Sequence, residues 1–95
     1  MKNNILYKAN GNISKLIKIF NDNITILLEY KIKVLEPSEN EEINMQDFLM
    51  YNTLKEDLID TLNEIIFINK HFFFGMLTEY VIILFEKLYH IIDMK

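Results

Sequence analysis

Apolar residues recur along this chain at the spacing of amphipathic helices in three long stretches. Between residues 13 and 35 they stand three or four positions apart, and the polar side chains of that stretch crowd into a sector of about 120°. The third stretch, from 72 to 92, is apolar around most of its circumference. The stripe of the second stretch consists of Tyr51, Leu54, Leu58, Leu62 and Ile65. The pattern predicts an all-α three-helix bundle, with helices at about 12–35, 44–69 and 72–93.

Local signals support these bounds. Asn12 follows the turn-forming pair Asn10-Gly11 and is the predicted N-cap of the first helix. Asn44, with Asp47 three residues further on, resembles a capping box at the start of the second helix. Residues 36–43 hold the only Pro and four acids, with little to bury, so we predict an acidic loop there.

The first third of the chain also fits a second interpretation. From Ile24 to Val34 apolar and polar residues alternate, which is the period of a β-strand, and β-branched residues are frequent there. Residues 3–35 would then form a small β-meander packed on two helices, which gives an α+β fold. We favour the helix, because its polar sector persists through the whole stretch while the alternation covers only the second half.

The third predicted helix has more apolar surface than one small core needs. Its apolar arc exceeds about 200°, which leaves a narrow polar strip of Gly75, Glu79, Glu86 and His90. We therefore expect this helix to be the buried centre of the bundle and to take part in a homodimer or a heteromer. The predicted apolar contact residues are Phe72, Phe73, Phe74, Tyr80 and Leu84.

Charge is sorted along the chain. Residues 1–33 carry six Lys against two acids, residues 34–64 carry nine acids against one Lys, and residues 65–95 are balanced, for a net charge of −4. The acids of the middle block also fit a simple role as a solvated surface that keeps a half-hydrophobic chain soluble. The functional interpretation is an acidic face that binds a basic protein, formed by Glu39, Glu41, Glu42, Glu56, Asp57, Asp60 and Glu64.

The chain offers little material for catalysis. It has no Cys, and its two Gly residues exclude the Gly-rich phosphate loops. Glu86 and His90 stand one helical turn apart, and His71 or Glu64 would have to complete a metal site with them. A single pair of this kind more often stabilises the helix that carries it. We predict no enzymatic activity, no cofactor and no metal site.

Composition bounds the class of protein. Ninety-five residues with 51% hydrophobic and 25% charged content predict a single globular domain over 1–95. The absence of Cys and of a recognisable signal peptide favours a cytoplasmic protein. The best apolar window, 72–92, contains several charged residues, so no membrane contact is predicted. Without Arg, direct binding of nucleic acid is also not expected.

These observations favour a non-enzymatic protein–protein interaction module. Ile, Asn and Lys make up 37 of the 95 residues and have A/T-rich codons, which indicates a low-GC genome. Small size and clustered acids suit a phage or mobile-element inhibitor of the anti-CRISPR or antirepressor type, which would dock its acidic face onto a basic nucleic-acid-binding protein in the host cytoplasm. The alternative is an obligate oligomeric helical protein, structural or adaptor, whose acids serve solubility only.

Overall fold

Three α-helices form the fold. The computed structural model describes residues 13–36 and 39–95, and places α1 at Ile13–Leu35, α2 at Glu41–Phe72 and α3 at Thr78–Ile92. Helices make up 86% of these described residues, and no strand occurs among them. The predicted all-α three-helix architecture is therefore confirmed.

The first helix settles the choice between helix and strand. Ile13, Leu16, Phe20 and Leu27 lie three, four and seven positions apart and are buried together, which only a helix can achieve. The alternative β-meander is therefore wrong over residues 13–35. Its residues 3–12, and with them the predicted cap Asn12, lie outside the described residues.

The second helix begins three residues before its predicted start. Asn40 is its N-cap, and the side-chain Oδ1 of Asn40 accepts hydrogen bonds from the backbone N–H groups of Glu42 at 3.0 Å and Ile43 at 3.3 Å. Glu41 and Glu42 stand in the first turn, where their charge favours helix formation. The predicted acidic loop therefore ends at Asn40, and its Pro37-Ser38 lies outside the described residues.

The boundary between the last two helices also differs from the prediction. α2 continues through Phe72, and α3 begins only at Thr78, because the chain turns at two left-handed residues, Phe74 (φ 53°) and Gly75 (φ 80°). The carbonyl of Asn69 accepts the backbone N–H of Gly75 at 2.9 Å and thereby closes the end of α2. The predicted start of the third helix at 72 is wrong for this reason.

Asn69 also holds the start of α3. Its side-chain Oδ1 accepts the backbone N–H of Leu77 at 2.8 Å, and its Nδ2 donates to Thr78 Oγ1 at 3.1 Å. Asn69 is buried, so these bonds satisfy its side-chain amide, which would otherwise be buried without a hydrogen-bond partner. One polar residue on α2 thus determines where α3 begins.

The core lies where α1 and α2 pair, and α3 packs less extensively against both. Only one stripe of α3 enters the core, formed by Val81, Leu84, Leu88 and Ile91. The expectation that the third helix is the buried centre of the bundle is therefore wrong. Of the described helices, α1 and α2 cover one side of α3, and the rest of its wide apolar arc is exposed.

The molecule is long and flat, with Cα extents of 50 × 25 × 15 Å. The 32 residues of α2 span about 48 Å, which matches the long axis. The end of α3 lies beside Tyr51, because Lys31 Nζ donates to the Ile92 carbonyl at 3.0 Å and to the Tyr51 hydroxyl at 3.5 Å. Residues 41–50 of α2 therefore extend past the end of α3, and of the other described helices the end of α1 lies against them.

None of the helices in the described part of the chain combines the length and the apolar character that crossing a membrane requires.

Candidate interaction surfaces

The predicted acidic face is divided by the packing of α2. Glu39, Glu41, Glu42 and Glu56 are exposed, Asp60 and Glu64 are half-buried, and Asp57 is only 5% exposed. The prediction that Asp57 lies on an exposed face is wrong, because α1 and α3 both pack on α2 and widen its buried arc to include residues 57 and 61. The acids that can face a partner directly are those at the start of α2, together with Glu56.

The predicted apolar contact residues also separate into different places. Leu84 is fully buried in the core, so it cannot contact a partner while the bundle is folded. The Tyr80 hydroxyl accepts a hydrogen bond from Asn21 Nδ2 at 3.4 Å, which places this ring beside α1. Only Phe72, Phe73 and Phe74 lie together, at the turn between α2 and α3.

This turn exposes several large apolar side chains. We call Phe72, Phe73, Phe74 and Met76 the apolar turn; Phe74 is 87% exposed. Phe74 is also the only non-glycine residue in the described part of the chain with a positive φ. A bulky residue in the left-handed region costs about 1–2 kcal/mol, so this position is unfavourable both in its backbone and in its solvation. Such strain is a reason to look for a functional role.

A second apolar surface, which the sequence pattern did not predict, lies at the start of α2. Ile43, Met45, Phe48, Leu49 and Met50 are 49 to 66% exposed. Between this segment and the end of α1 is a groove of about 440 Å³, which we call the end groove; it is lined by Val34, Glu41, Asn44, Met45 and Phe48. The signal in the sequence that could have revealed this surface is a run of apolar residues that do not fall on a single stripe of the helix.

The outer side of α3 carries a third apolar surface. Ile82, Phe85 and Tyr89 are three and four positions apart and share one face, which we call the α3 stripe. The rings of Phe85 and Tyr89 stack with their centroids 4.3 Å apart. This stacking holds both rings in place on the surface.

The residues weighed for metal binding are not brought together. Glu86 and His90 line a groove of about 510 Å³ between α1 and α3, whereas Glu64 lines a different groove, between α1 and α2. The ring of His71 lies 4.3 Å from the ring of Phe67, in the last turns of α2. Within the described residues, no group of three or more His, Cys, Asp or Glu is arranged to hold a metal ion.

The pKa of Tyr51 is shifted by the surroundings of its hydroxyl. Burial raises the pKa of the Tyr51 hydroxyl above 10, Lys55 opposes this shift and Asp93 adds to it. Lys31 Nζ lies 4.9 Å from the centre of the ring and Lys55 Nζ lies 5.6 Å from it, both within cation–π range. The hydroxyl therefore stays protonated near neutral pH, and its position at the end of α3 indicates a packing role.

Compared with known proteins, the chain matches no family model, no curated protein and no solved structure. Its function is therefore inferred from its own surfaces.

Proposed function

We propose that this chain is a non-enzymatic protein–protein interaction module that binds its partner through exposed apolar side chains. One observation carries the proposal. In the described part of the chain, nineteen large apolar side chains are exposed, against thirteen that form the core. Scattered exposed apolar residues are normal, but contiguous ones mark interaction sites. The apolar turn, the start of α2 and the α3 stripe are contiguous in this sense.

Charge is proposed to select the partner. The acids that remain exposed, Glu39, Glu41, Glu42 and Glu56, favour a basic protein and would speed its association. The half-buried Asp60 and Glu64 would contribute less to the attraction, and the buried Asp57 would not contact the partner. The phage or mobile-element inhibitor of the anti-CRISPR or antirepressor type stays a prediction within this proposal.

The proposal is tested by affinity capture from a low-GC bacterial lysate with quantitative mass spectrometry. The wild type is compared with two double variants. Phe48→Ser/Leu49→Ser removes one exposed ring and one exposed aliphatic side chain at the start of α2, and Ile82→Ser/Phe85→Ser does the same on the α3 stripe. We expect a defined protein to be retained by the wild type and lost by one of the two variants. Identical captures by all three proteins would contradict binding through these surfaces.

The second candidate function is self-association into an obligate oligomer, and the α3 stripe favours it. An isologous contact between two copies needs a self-complementary surface, and stacked rings on a straight helix can supply one. Light scattering at micromolar concentration tests it. A dimer that Phe85→Glu dissociates would support self-association, and a strict monomer would exclude it.

A further inference from the structure

The end groove lies next to the end of α3: Lys31 contacts both Ile92 and Tyr51, and the groove residues Val34 and Phe48 each stand three residues from that contact. Phe48 is on the same face of α2 as Leu62, fourteen residues further on, and Leu62 is buried in the core. On α1, Leu35 stands one turn after Lys31, whose amine binds the last carbonyl of α3 at 3.0 Å. Beyond Ile92, α1 and α2 therefore continue as a pair, and among the described residues no third helix lies against them there.

The groove at this open position suits an apolar side chain. Val34 comes from α1, and Met45 and Phe48 come from successive turns of α2, around a volume of about 440 Å³. Met side chains adapt to different partner shapes, and Met45 and Met50 both lie in this segment.

The charge around the groove selects the occupant. Glu41 lines the groove, and residues 31–50 contain five acids (Glu36, Glu39, Glu41, Glu42 and Asp47) against two Lys, Lys31 and Lys33. A second copy would place this block against an identical one, which is repulsive. A partner with apolar residues on one face and Lys or Arg on the others matches both the groove and the acids around it.

We infer that the end groove binds a basic amphipathic helix of another protein, which takes the place that α3 occupies along the rest of α2. This inference rests on the proposed function and adds to it a site and a class of partner. The bound helix completes a three-helix arrangement at the end of the molecule where, within the described part of the chain, α1 and α2 form a pair. Its apolar anchors enter between Val34 and Phe48, and its basic residues lie beside Glu41 and its neighbours.

The test uses a fluorescent 18-residue amphipathic peptide of Leu and Lys, with a Leu and Glu peptide of the same pattern as a control. Binding is measured by fluorescence anisotropy at low and high salt. We expect the Leu/Lys peptide to bind with an affinity that falls as salt rises, and the Leu/Glu peptide not to bind. Absence of binding by the Leu/Lys peptide at 25 °C and low salt would overturn the inference.

Matched variants locate the binding site. Phe48→Ser and, separately, Met45→Gln should each weaken the Leu/Lys peptide about tenfold or more, whereas Phe74→Ser at the opposite end should leave its affinity within about twofold. Glu41→Gln/Glu42→Gln should reduce the salt dependence, and Glu79→Gln/Glu86→Gln, which removes the same charge from α3, should not. Loss of affinity in Phe74→Ser with retention in Phe48→Ser and Met45→Gln would place the peptide on the apolar turn. That result would overturn this inference and leave the interaction module standing.

Discussion

The left-handed conformation of Phe74 should reverse the usual order of stability between a Gly and an Ala substitution. In the interior of a helix, Ala is favoured over Gly by about 1 kcal/mol. At Phe74, with φ 53°, Ala keeps the clash between Cβ and the backbone while Gly does not. Phe74→Gly should therefore be more stable than Phe74→Ala by about 1 kcal/mol.

Little else changes at this position, because the Phe74 ring is 87% exposed. Both substitutions remove the same ring, so their difference isolates the backbone. In a domain of this size, a difference of 1 kcal/mol moves the melting temperature by about 4–8 °C. Phe67, which is half-exposed within α2, provides the control, since there the Ala variant should be the more stable one.

The assay is thermal and urea unfolding followed by circular dichroism, with all four variants at one pH. The expected result is a reversal of the Gly-minus-Ala difference between positions 74 and 67. If Ala is favoured at both positions, the turn at the end of α2 does not have the backbone described above. The same result would remove strain as a reason to assign the apolar turn a function.

Three further predictions concern the interior. Asn69→Ala removes the hydrogen bonds to Leu77 and Thr78 and should lower the free energy of unfolding by about 2 kcal/mol in urea titrations, whereas the exposed Asn63→Ala should change it little; equal effects would contradict the role of Asn69. Leu84→Ala should cost about 2–5 kcal/mol in the same assay, and a loss as small as that of a surface substitution would show that Leu84 is not in the core. Burial raises the pKa of Tyr51, so the folded state favours its protonated hydroxyl. The stabilisation that this hydroxyl contributes is present below about pH 10 and is lost as pH rises through the folded pKa. Between pH 9 and 11 the wild type should therefore lose more stability than Tyr51→Phe, and parallel losses would contradict this.

The sequence predicted the first helix almost to the residue, because one narrow apolar stripe persists through it and ends at Leu35. It placed the cap of α2 at Asn44 because Asn44 and Asn40 have the same capping chemistry. The two acids after Asn40 favour a helix N-terminus, but they also fit the acidic loop that the sequence predicts over residues 36–43. The capping residues therefore indicate that a helix starts in this region, but they leave its first residue uncertain by one turn.

The junction between α2 and α3 could not be located from the sequence. Phe avoids positive φ, so nothing in the letters indicates that the chain turns at Phe74, and Gly75 alone is a weak signal. The buried Asn69 that closes the turn resembles any other polar residue of a helix. Its role depends on Leu77 and Thr78, which reach it only after the turn has formed.

The sequence predicts that apolar surface is exposed, but it does not predict which residues form that surface. The apolar excess of the third helix was visible in the sequence, but a wide apolar arc does not show which stripe faces the core. Leu84 was therefore assigned to a partner although it is buried, and its exposed neighbours Ile82 and Phe85 were not assigned. Asp57 was misplaced for a similar reason, since its burial depends on the packing of α1 and α3 on α2.

The central claim is that apolar surface exposed in the isolated chain is covered when the protein works. Hydrogen–deuterium exchange of the chain, alone and in complex with the partner captured by the wild type, measures this directly. We predict slower exchange in the complex at residues 41–50 of α2 and at the end of α1, with little change in the core stripe around Leu84. Slowing confined to the apolar turn would overturn only binding at the end groove, whereas unchanged exchange at residues 41–50, at the α3 stripe and at the apolar turn would contradict the central claim.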